Sequence, residues 1–228
     1  MKQLRYLLIL VIMFSCTATR QARTTPSLYS NDQEWKIKTD DGWFSAKTIS
    51  FGPYTTSSRK NGVSDAMNAS FIKDPKNPFS FTLTGNNERL PVQTMGTKRI
   101  AFTNRSLPAG LNDLAPDATI YYVLINGTGN DPLKRWELIL KTSSYLELND
   151  NKAAGILRSS DTDIRITAHN RFGKVNSYEN ICYEFQYRGQ PVAAVMPGSK
   201  PRIWVSKDAD ADISKPVAAA IAAILLRN

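Results

Sequence analysis

Histidine and cysteine are scarce in this chain of 228 residues, which contains one His and two Cys. Because His169 is the only histidine, a metal site built from several histidines is excluded. A Ser-His-Asp triad could use only this one histidine. The sequence also lacks the Gly-x-Ser-x-Gly elbow, the His-Glu-x-x-His pair and the Gly-x-x-x-x-Gly-Lys-Ser/Thr phosphate loop. We therefore predict no catalytic residue, no metal site and no cofactor.

Long hydrophobic runs are missing as well. The two longest apolar runs are residues 6–14 and 217–226, whereas a helix needs roughly 20 residues to span a bilayer. Neither run is predicted to cross a membrane as a helix. The composition is that of a globular protein, with 42% hydrophobic residues, 21% charged residues and a net charge of +9.

The first sixteen residues have the pattern of an export signal. Lys2 and Arg5 precede the apolar run, and the small residue Ser15 stands directly before Cys16. This ending resembles the lipobox of bacterial lipoproteins. The resemblance implies that residues 1–15 are a signal peptide, that Cys16 carries a diacylglyceryl thioether, and that residues 16–33 are a lipidated tether. The alternative is an ordinary secretory signal with an incidental cysteine.

The location and the partners follow from that signal. None of the four residues after Cys16 is acidic, and by resemblance to known sorting rules this implies a lipid-anchored protein of the cell envelope, at the outer membrane facing the periplasm. Export argues against nucleic acid as the partner of a basic domain. The expected partners are the membrane, through the anchor, and an anionic lipid or glycan of the envelope. The alternative is a solvated basic surface with no dedicated partner.

Residues 34–228 are predicted to form a single, mainly β domain. Apolar and polar residues alternate in short segments separated by Gly, Asn, Asp and Pro, as at Phe79, Phe81 and Leu83. Segments 119–125 and 134–141 are predicted to pair as a hairpin, and 104–118 is predicted to be a long loop. Segment 146–157 fits either a short helix or two strands broken at Gly155.

A helix is predicted at the C-terminus over 214–227. Pro216 suits a first helical turn, and Asp208, Asp210 and Asp212 lie at the positive end of the helix dipole. The helix has no polar face, so the rest of the domain must surround it. We therefore expect an antiparallel β-barrel enclosing this helix; the alternative is a β-sandwich capped by it. The residues expected to hold the helix in the core are Val217, Ile221, Ile224 and Leu225.

The last elements resemble a known barrel fold. Tyr183-Glu184-Phe185, a hairpin to 192–196, the strand Ile203-Trp204-Val205 and a terminal apolar helix are similar to the tubby C-terminal and phospholipid-scramblase fold. That family wraps a barrel around a C-terminal hydrophobic helix, and its members are often linked to lipid. The resemblance therefore implies a barrel and a connection to lipid. No head-group motif of the family matches, so the resemblance implies no binding residue.

Two weaker candidates for chemistry remain. If Cys16 is lipidated, Cys182 is the single free thiol, and it is predicted to be a buried core residue, while His169 is predicted to lie on the surface. Glu137 with Glu147 or Glu184 would offer a glycosidase-like carboxylate pair. We favour a non-enzymatic envelope lipoprotein with a binding or structural role; the alternative is an envelope hydrolase acting on glycan or lipid.

Overall fold

The computed structural model describes most of the predicted domain. The described residues are 27–41, 47–62, 72–73, 75–100, 111, 118–127, 134–143, 146–148, 152–173 and 178–227. The predicted signal peptide, Cys16 and the tether up to residue 26 lie outside them, as does the predicted loop 104–118 apart from Leu111 and Ala118.

The chain is mainly β, as its residue alternation predicted. In the described residues, sixteen strands precede one α-helix, and their bounds are β1 Glu34–Trp35, β2 Ile37–Asp40, β3 Thr48–Phe51, β4 Tyr54–Thr56, β5 Lys60–Asn61, β6 Ile72–Lys73, β7 Lys76–Gly85, β8 Glu88–Thr97, β9 Arg99–Ile100, β10 Ile120–Ile125, β11 Trp136–Lys141, β12 Ala153–Arg158, β13 Asp163–His169, β14 Cys182–Tyr187, β15 Gln190–Met196, β16 Arg202–Val205 and α1 Ala211–Leu226.

One antiparallel sheet contains fourteen of these strands. Its order is β1-β16-β15-β14-β13-β12-β11-β10-β8-β7-β4-β3-β2, with β5 paired to β7, while β6 and β9 pair separately. The strands at the two ends of this order, β1 and β2, are consecutive in the chain and separated only by Lys36. Glu34 pairs with Trp204 and Ile37 pairs with Phe51. One short segment thus joins both edges, and the sheet forms a nearly closed barrel.

The interior of the barrel is filled by α1. Every residue from Pro216 to Leu226 is buried, and Val217 to Leu226 belong to one hydrophobic core with the inward-facing side chains of the strands. Each strand contributes alternate positions, such as Ile164, Ile166 and Ala168 of β13. The prediction of an antiparallel barrel that encloses a hydrophobic helix is confirmed.

The helix begins earlier than the sequence predicted. It runs over Ala211–Leu226 and not over 214–227, and Pro216 lies inside it. Asp210 is the N-cap, with its side chain accepting a hydrogen bond from the backbone N–H of Asp212 at 3.1 Å. This cap allows one full turn before Pro216. Proline lacks the N–H that would bond to the carbonyl of Asp212, but this position lies near the helix start, where the loss is tolerated best.

The structure shows the predicted hairpin and part of the ambiguous segment 146–157. Strands β10 and β11 pair from Ile120–Lys141 to Ile125–Trp136, which confirms the predicted hairpin. Residues 153–158 form β12, and the register with β13 shifts between Ala153 and Gly155. The bulge explains why the sequence suggested a break at this glycine. Within the described part of the chain, no helix has the length and apolarity needed to cross a membrane.

A short segment packs outside the barrel ahead of β1. The first of two 3₁₀ turns, Ser27–Tyr29, lies against β15 and β16, and its Leu28 is only 3% exposed. The second turn is Asn31–Gln33. We call residues 28–33 the strap. The sequence assigned these residues to the tether because residues 17–33 are rich in Thr, Arg, Ser, Asn and Gln and contain Pro26. The packed part of the domain therefore begins before Glu34, where the boundary was predicted.

Candidate functional site

A cavity opens at the end of the barrel where α1 begins, and we call it the mouth cavity. Its volume is about 210 Å³. Its lining comes from the start of β8, the end of β10, the approach to β11 and the first turn and a half of α1, namely Glu88, Leu90, Ile125, Asn126, Gly127, Lys134, Trp136, Asp212, Lys215 and Pro216. The helix fills the lumen, so the mouth cavity lies where ligand can approach from solvent.

The turn between β7 and β8 brings Glu88 to this position. Asn86 and Asn87 both have positive φ, of 51° and 61°. Two consecutive left-handed residues make the tight hairpin turn that suits strand twist, and asparagine tolerates that conformation. The turn places Glu88 at the first position of β8, directly beside the first turns of α1.

An ion pair connects that strand to the helix. Lys215 Nζ lies 2.6 Å from Glu88 Oε1, and the two side chains are 27% and 10% exposed. The hydrogen bond to Glu88 raises the pKa of Lys215, so the lysine is held in its charged form. This ion pair places a cation and an anion side by side on one wall of the cavity.

A second cation lines the cavity. Lys134 Nζ lies 3.3 Å from Asp161 Oδ2 and 5.6 Å from the centre of the Trp136 ring. Below these charged groups, Leu90, Ile125 and Trp136 form an apolar floor and are 7%, 0% and 5% exposed. The mouth cavity thus offers donors and acceptors at its rim above an apolar base, the arrangement expected for an amphipathic small ligand.

A second cavity of about 290 Å³ lies on the other side of the first turn of α1. Its lining includes Trp35, Tyr54 and Ser214, and its single charged residue is Lys207. Lys207 pairs with Asp32 of the strap at 3.2 Å. Because this cavity offers one charged group where the mouth cavity offers four, the mouth cavity is the better candidate.

A polar cluster lies on the outer face of the barrel, beneath the strap. The Tyr29 hydroxyl donates to Glu184 Oε2 at 2.6 Å and lies 2.7 Å from Nε2 of His169. A hydroxyl has one proton, so His169 is the donor to the Tyr29 oxygen, which assigns the Nε2–H tautomer. The second oxygen of Glu184 accepts from Gln186 at 2.9 Å. We call Tyr29, His169, Cys182 and Glu184 the strap cluster.

Aromatic rings surround this cluster. Phe172 stacks on Trp204 with ring centres 5.1 Å apart, and the Tyr29 ring packs edge-on against both. Arg202 lies 4.5 Å from the Trp204 ring and forms a two-pronged ion pair with Glu34, at 2.6 and 2.8 Å. These contacts exclude water from the strap cluster.

The strap cluster corrects one prediction and agrees with another. His169, predicted to lie on the surface, is 5% exposed. Cys182 is fully buried, as predicted, and pairs across the sheet with His169. Burial raises the pKa of the Cys182 thiol to about 12. A catalytic thiol requires a lowered pKa, so the covered thiol is unreactive.

Of the acidic pairs proposed from the sequence, Glu137 and Glu184 do not converge. Glu137 accepts hydrogen bonds from Arg158 at 3.2 Å and Tyr122 at 3.3 Å on the outer face of β11. Glu184 lies three strands away in the sheet order, roughly 14 Å at about 4.8 Å per strand, beyond the separations that glycosidases use. Glu147 pairs with Lys152 at 3.6 Å.

The remaining candidates lie inside the core or outside the described residues. Val217, Ile221, Ile224 and Leu225 are 2%, 0%, 4% and 6% exposed. Cys16 lies outside the described residues. Among the residues with described positions, no group of three or more His, Cys, Asp or Glu side chains is arranged to hold a metal ion.

The sequence did not single out the mouth cavity. Glu88, Asn126, Lys134 and Lys215 belong to different elements, and each of them looks like an ordinary surface residue in the sequence. Asp212 and Pro216, which also line the cavity, did give a local signal, and that signal concerned the start of the helix. Comparison of the chain with protein-family models, with curated proteins and with solved structures gave no match.

Proposed function

We propose that this protein is a non-enzymatic cell-envelope lipoprotein whose barrel binds a sugar unit of an envelope glycan in the mouth cavity. The anchor is Cys16, and the location is the outer membrane on its periplasmic side. The observation that carries the binding role is the cavity itself: α1 occupies the lumen, and the mouth cavity combines an apolar floor with charged and amide groups at its rim.

The balance of charge in the cavity favours a sugar over an anionic head group. Lys134 and Lys215 are matched by Glu88 and Asp212. A phosphate would gain two cations but would also meet two carboxylates. A sugar hydroxyl both donates and accepts, so it can use both kinds of group, while the C–H face of the ring packs on the floor. A cavity of about 210 Å³ suits one sugar ring better than a long chain.

The alternative of an envelope hydrolase rests on Glu88 and Asp212, which line the same cavity. A glycosidase needs one of its two carboxyl groups protonated as the general acid. The ammonium of Lys215 at 2.6 Å stabilises the ionised form of Glu88 and opposes that role. The pair therefore favours binding over hydrolysis.

The barrel is also proposed to be related to the tubby C-terminal and phospholipid-scramblase fold. The arrangement that supports this relation is an antiparallel barrel whose C-terminal apolar helix occupies the lumen. In this proposal the lipid on Cys16 anchors the protein in the membrane, and the barrel binds the glycan.

The binding role can be tested by saturation-transfer NMR with N-acetylglucosamine as the sugar probe and inorganic phosphate as the anionic probe. We expect transfer to the sugar ring protons, and a loss of affinity of about tenfold in Asn126→Ala and in Lys134→Ala, since each removes about one hydrogen bond to a ligand. Lys152→Ala is the matched control, because it also removes an ion-paired lysine but lies outside the cavity.

Three results would overturn this proposal. Binding of phosphate without binding of the sugar would favour an anionic head group. If neither the sugar nor phosphate binds, the mouth cavity is not the proposed binding site. Cleavage of p-nitrophenyl N-acetylglucosaminide that is lost in Glu88→Gln would favour the hydrolase.

A further inference from the structure

The second cavity, of about 290 Å³, has an aromatic wall made by Trp35 and Tyr54. Both rings line the cavity, and their centres lie 6.1 Å apart. Gly52 supports this wall: its φ is +51°, and a Cβ there would lie 2.6 Å from Cε3 of Trp35, so the indole lies directly against the glycine backbone. Trp35 is only partly buried, and its accessible ring offers a surface for the C–H face of a sugar.

Most of the polar groups of the second cavity are neutral. The Asn86 amide donates to the Tyr54 hydroxyl at 3.3 Å, which leaves the amide oxygen of Asn86 and the proton of Tyr54 for other partners. Ser206 and Ser214 also line the cavity, and Lys207 is the one charged residue among the described lining residues. Neutral donors and acceptors beside aromatic rings suit a sugar better than an anion.

The second cavity and the mouth cavity border the same part of α1. Ala211 and Ser214 line the second cavity. The residue that follows each of them, Asp212 and Lys215, lines the mouth cavity. Because neighbouring residues of one helical turn line different cavities, this turn is a wall that the two cavities share.

The turn between β7 and β8 contributes to the same wall. Asn86 lines the second cavity, and Glu88, two residues later, lines the mouth cavity. The Glu88–Lys215 ion pair, at 2.6 Å, connects this turn to the helix. The pair is also close to the aromatic wall: burial raises the pKa of Tyr54, the charge of Lys215 lowers it, and the charge of Glu88 raises it. The ion pair therefore lies between the two cavities.

We propose that the second cavity is the subsite for the neighbouring sugar unit, so that the protein binds a glycan of at least two linked sugars across the Glu88–Lys215 ion pair. This inference rests on the proposed binding of one sugar in the mouth cavity. The next ring packs on the aromatic wall, and hydroxyls beside the glycosidic bond meet the ion pair, whose ammonium donates and whose carboxylate accepts. Because the two rings are covalently linked, binding of the second ring is intramolecular and strengthens the whole contact.

The inference is tested by comparing N-acetylglucosamine with its β-1,4-linked disaccharide, N,N′-diacetylchitobiose. Both are titrated against the full chain by calorimetry and by saturation-transfer NMR. We expect the disaccharide to bind about tenfold more tightly than the monosaccharide, with saturation transferred to protons of both rings.

A substitution in the second cavity should separate the two ligands. Asn86→Gly removes the amide but keeps a residue that readily adopts the positive φ of 51°. We expect this variant to bind the disaccharide about fivefold more weakly and the monosaccharide with unchanged affinity. Asn87→Gly is the matched control, because it alters the same turn at a φ of 61° and Asn87 is not among the described residues that line either cavity. Equal disaccharide affinities in the two variants would overturn the inference.

Tryptophan fluorescence gives a second readout. The disaccharide should change the emission more than saturating monosaccharide does, because it reaches Trp35 in the second cavity as well as Trp136 in the mouth cavity. Trp35→Phe keeps an aromatic ring and should remove only the additional change. If the additional change persists in Trp35→Phe, the second ring does not lie on the aromatic wall and the inference is wrong.

The outcomes distinguish this inference from the proposed function. If both ligands bind with the same affinity and only one ring receives saturation, the second cavity is not a subsite, while the mouth cavity remains a site for a single sugar. If neither ligand binds, both the inference and the proposed function fail.

Discussion

Asp161 carries the most strongly stabilised exposed carboxylate that the structure shows near the mouth cavity. Ser159 donates to Oδ1 at 2.6 Å, Thr162 donates to the same oxygen at 3.1 Å, and Lys134 lies 3.3 Å from Oδ2. These bonds, that from Ser159 first, lower the pKa of Asp161 to about 2. The carboxylate in turn holds Lys134 at the wall of the cavity.

This arrangement predicts a measurable pH dependence. A lowered pKa in the folded state means that the contacts stabilise the fold above the ordinary Asp pKa of about 3.9, and that this contribution is lost as the pH falls through about 2. We expect Ser159→Ala to raise the Asp161 pKa, as measured by NMR titration of its carboxyl carbon. Ser199→Ala, in the turn before β16, should leave it unchanged. An Asp161 pKa that does not move in Ser159→Ala would contradict the assignment.

Gly155 is a position where the backbone permits no side chain. A Cβ there would contact the carbonyl oxygen of Ile139 and would lie 2.5 Å from Leu140 Cδ2. The first of these is backbone in the neighbouring strand and cannot rotate away, so Gly155→Ala should lower the free energy of unfolding by about 2 kcal/mol. Gly96→Ala is the control, since its nearest neighbour would be 3.5 Å away. Equal urea midpoints for the two variants would refute this account.

His169 shows that the burial of a single residue cannot always be predicted from one sequence. Its neighbours in the chain, including Asn170, indicated a strand end at the surface. Its burial depends on Tyr29, which is 140 residues away in sequence. Cys182 was predicted correctly because its own strand pattern, Ile-Cys-Tyr, is apolar. Local pattern therefore predicts burial within a strand but not burial beneath a distant segment.

The C-terminal helix is the element that the sequence described best. Ten consecutive apolar residues without a polar face predicted that the rest of the domain surrounds the helix, and the barrel does surround it. The position of its first residue was missed because Pro216 is a common first-turn residue, whereas Asp210 forms the cap here. The mouth cavity depends on this difference, since Asp212 lies in the additional turn and lines the cavity.

A charge placed in the middle of this helix tests the architecture. Ile221 is fully buried, so Ile221→Asp would bury an unpaired carboxylate, which costs several kcal/mol. We expect that variant to lose the cooperative thermal transition in circular dichroism. The matched control introduces the same residue in the exposed first turn, Ala211→Asp, where the helix dipole favours negative charge. An Ile221→Asp variant that melts like the parent would mean that the helix is not enclosed.

The closure of the barrel belongs to the scale of the whole molecule. The sequence indicated many short strands and a central helix, but it did not show which segment joins the sheet edges. The joining segment, residues 34–40, pairs with β16 on one side and with β3 on the other, and those strands are far apart in the chain. Its partners are fixed by the closed sheet, which no local pattern encodes.

The proposed attachment of this barrel to a membrane rests on Cys16. In a lipoprotein, the acyl chains on this residue anchor the protein, because two or more chains bind a bilayer firmly whereas one chain binds only marginally. We expect Cys16→Ala to abolish labelling by radioactive palmitate and to move the protein from the membrane to the soluble fraction after ultracentrifugation.

Cys182→Ala is the matched control for that substitution, because it removes the other cysteine of the chain and leaves the proposed lipobox intact. It should stay labelled and membrane-bound. Palmitate labelling that persists in Cys16→Ala would contradict the anchor. If Cys16→Ala is soluble and still binds N-acetylglucosamine, then the anchor and the mouth cavity act independently, with the lipid determining where the barrel works and the cavity determining what it binds.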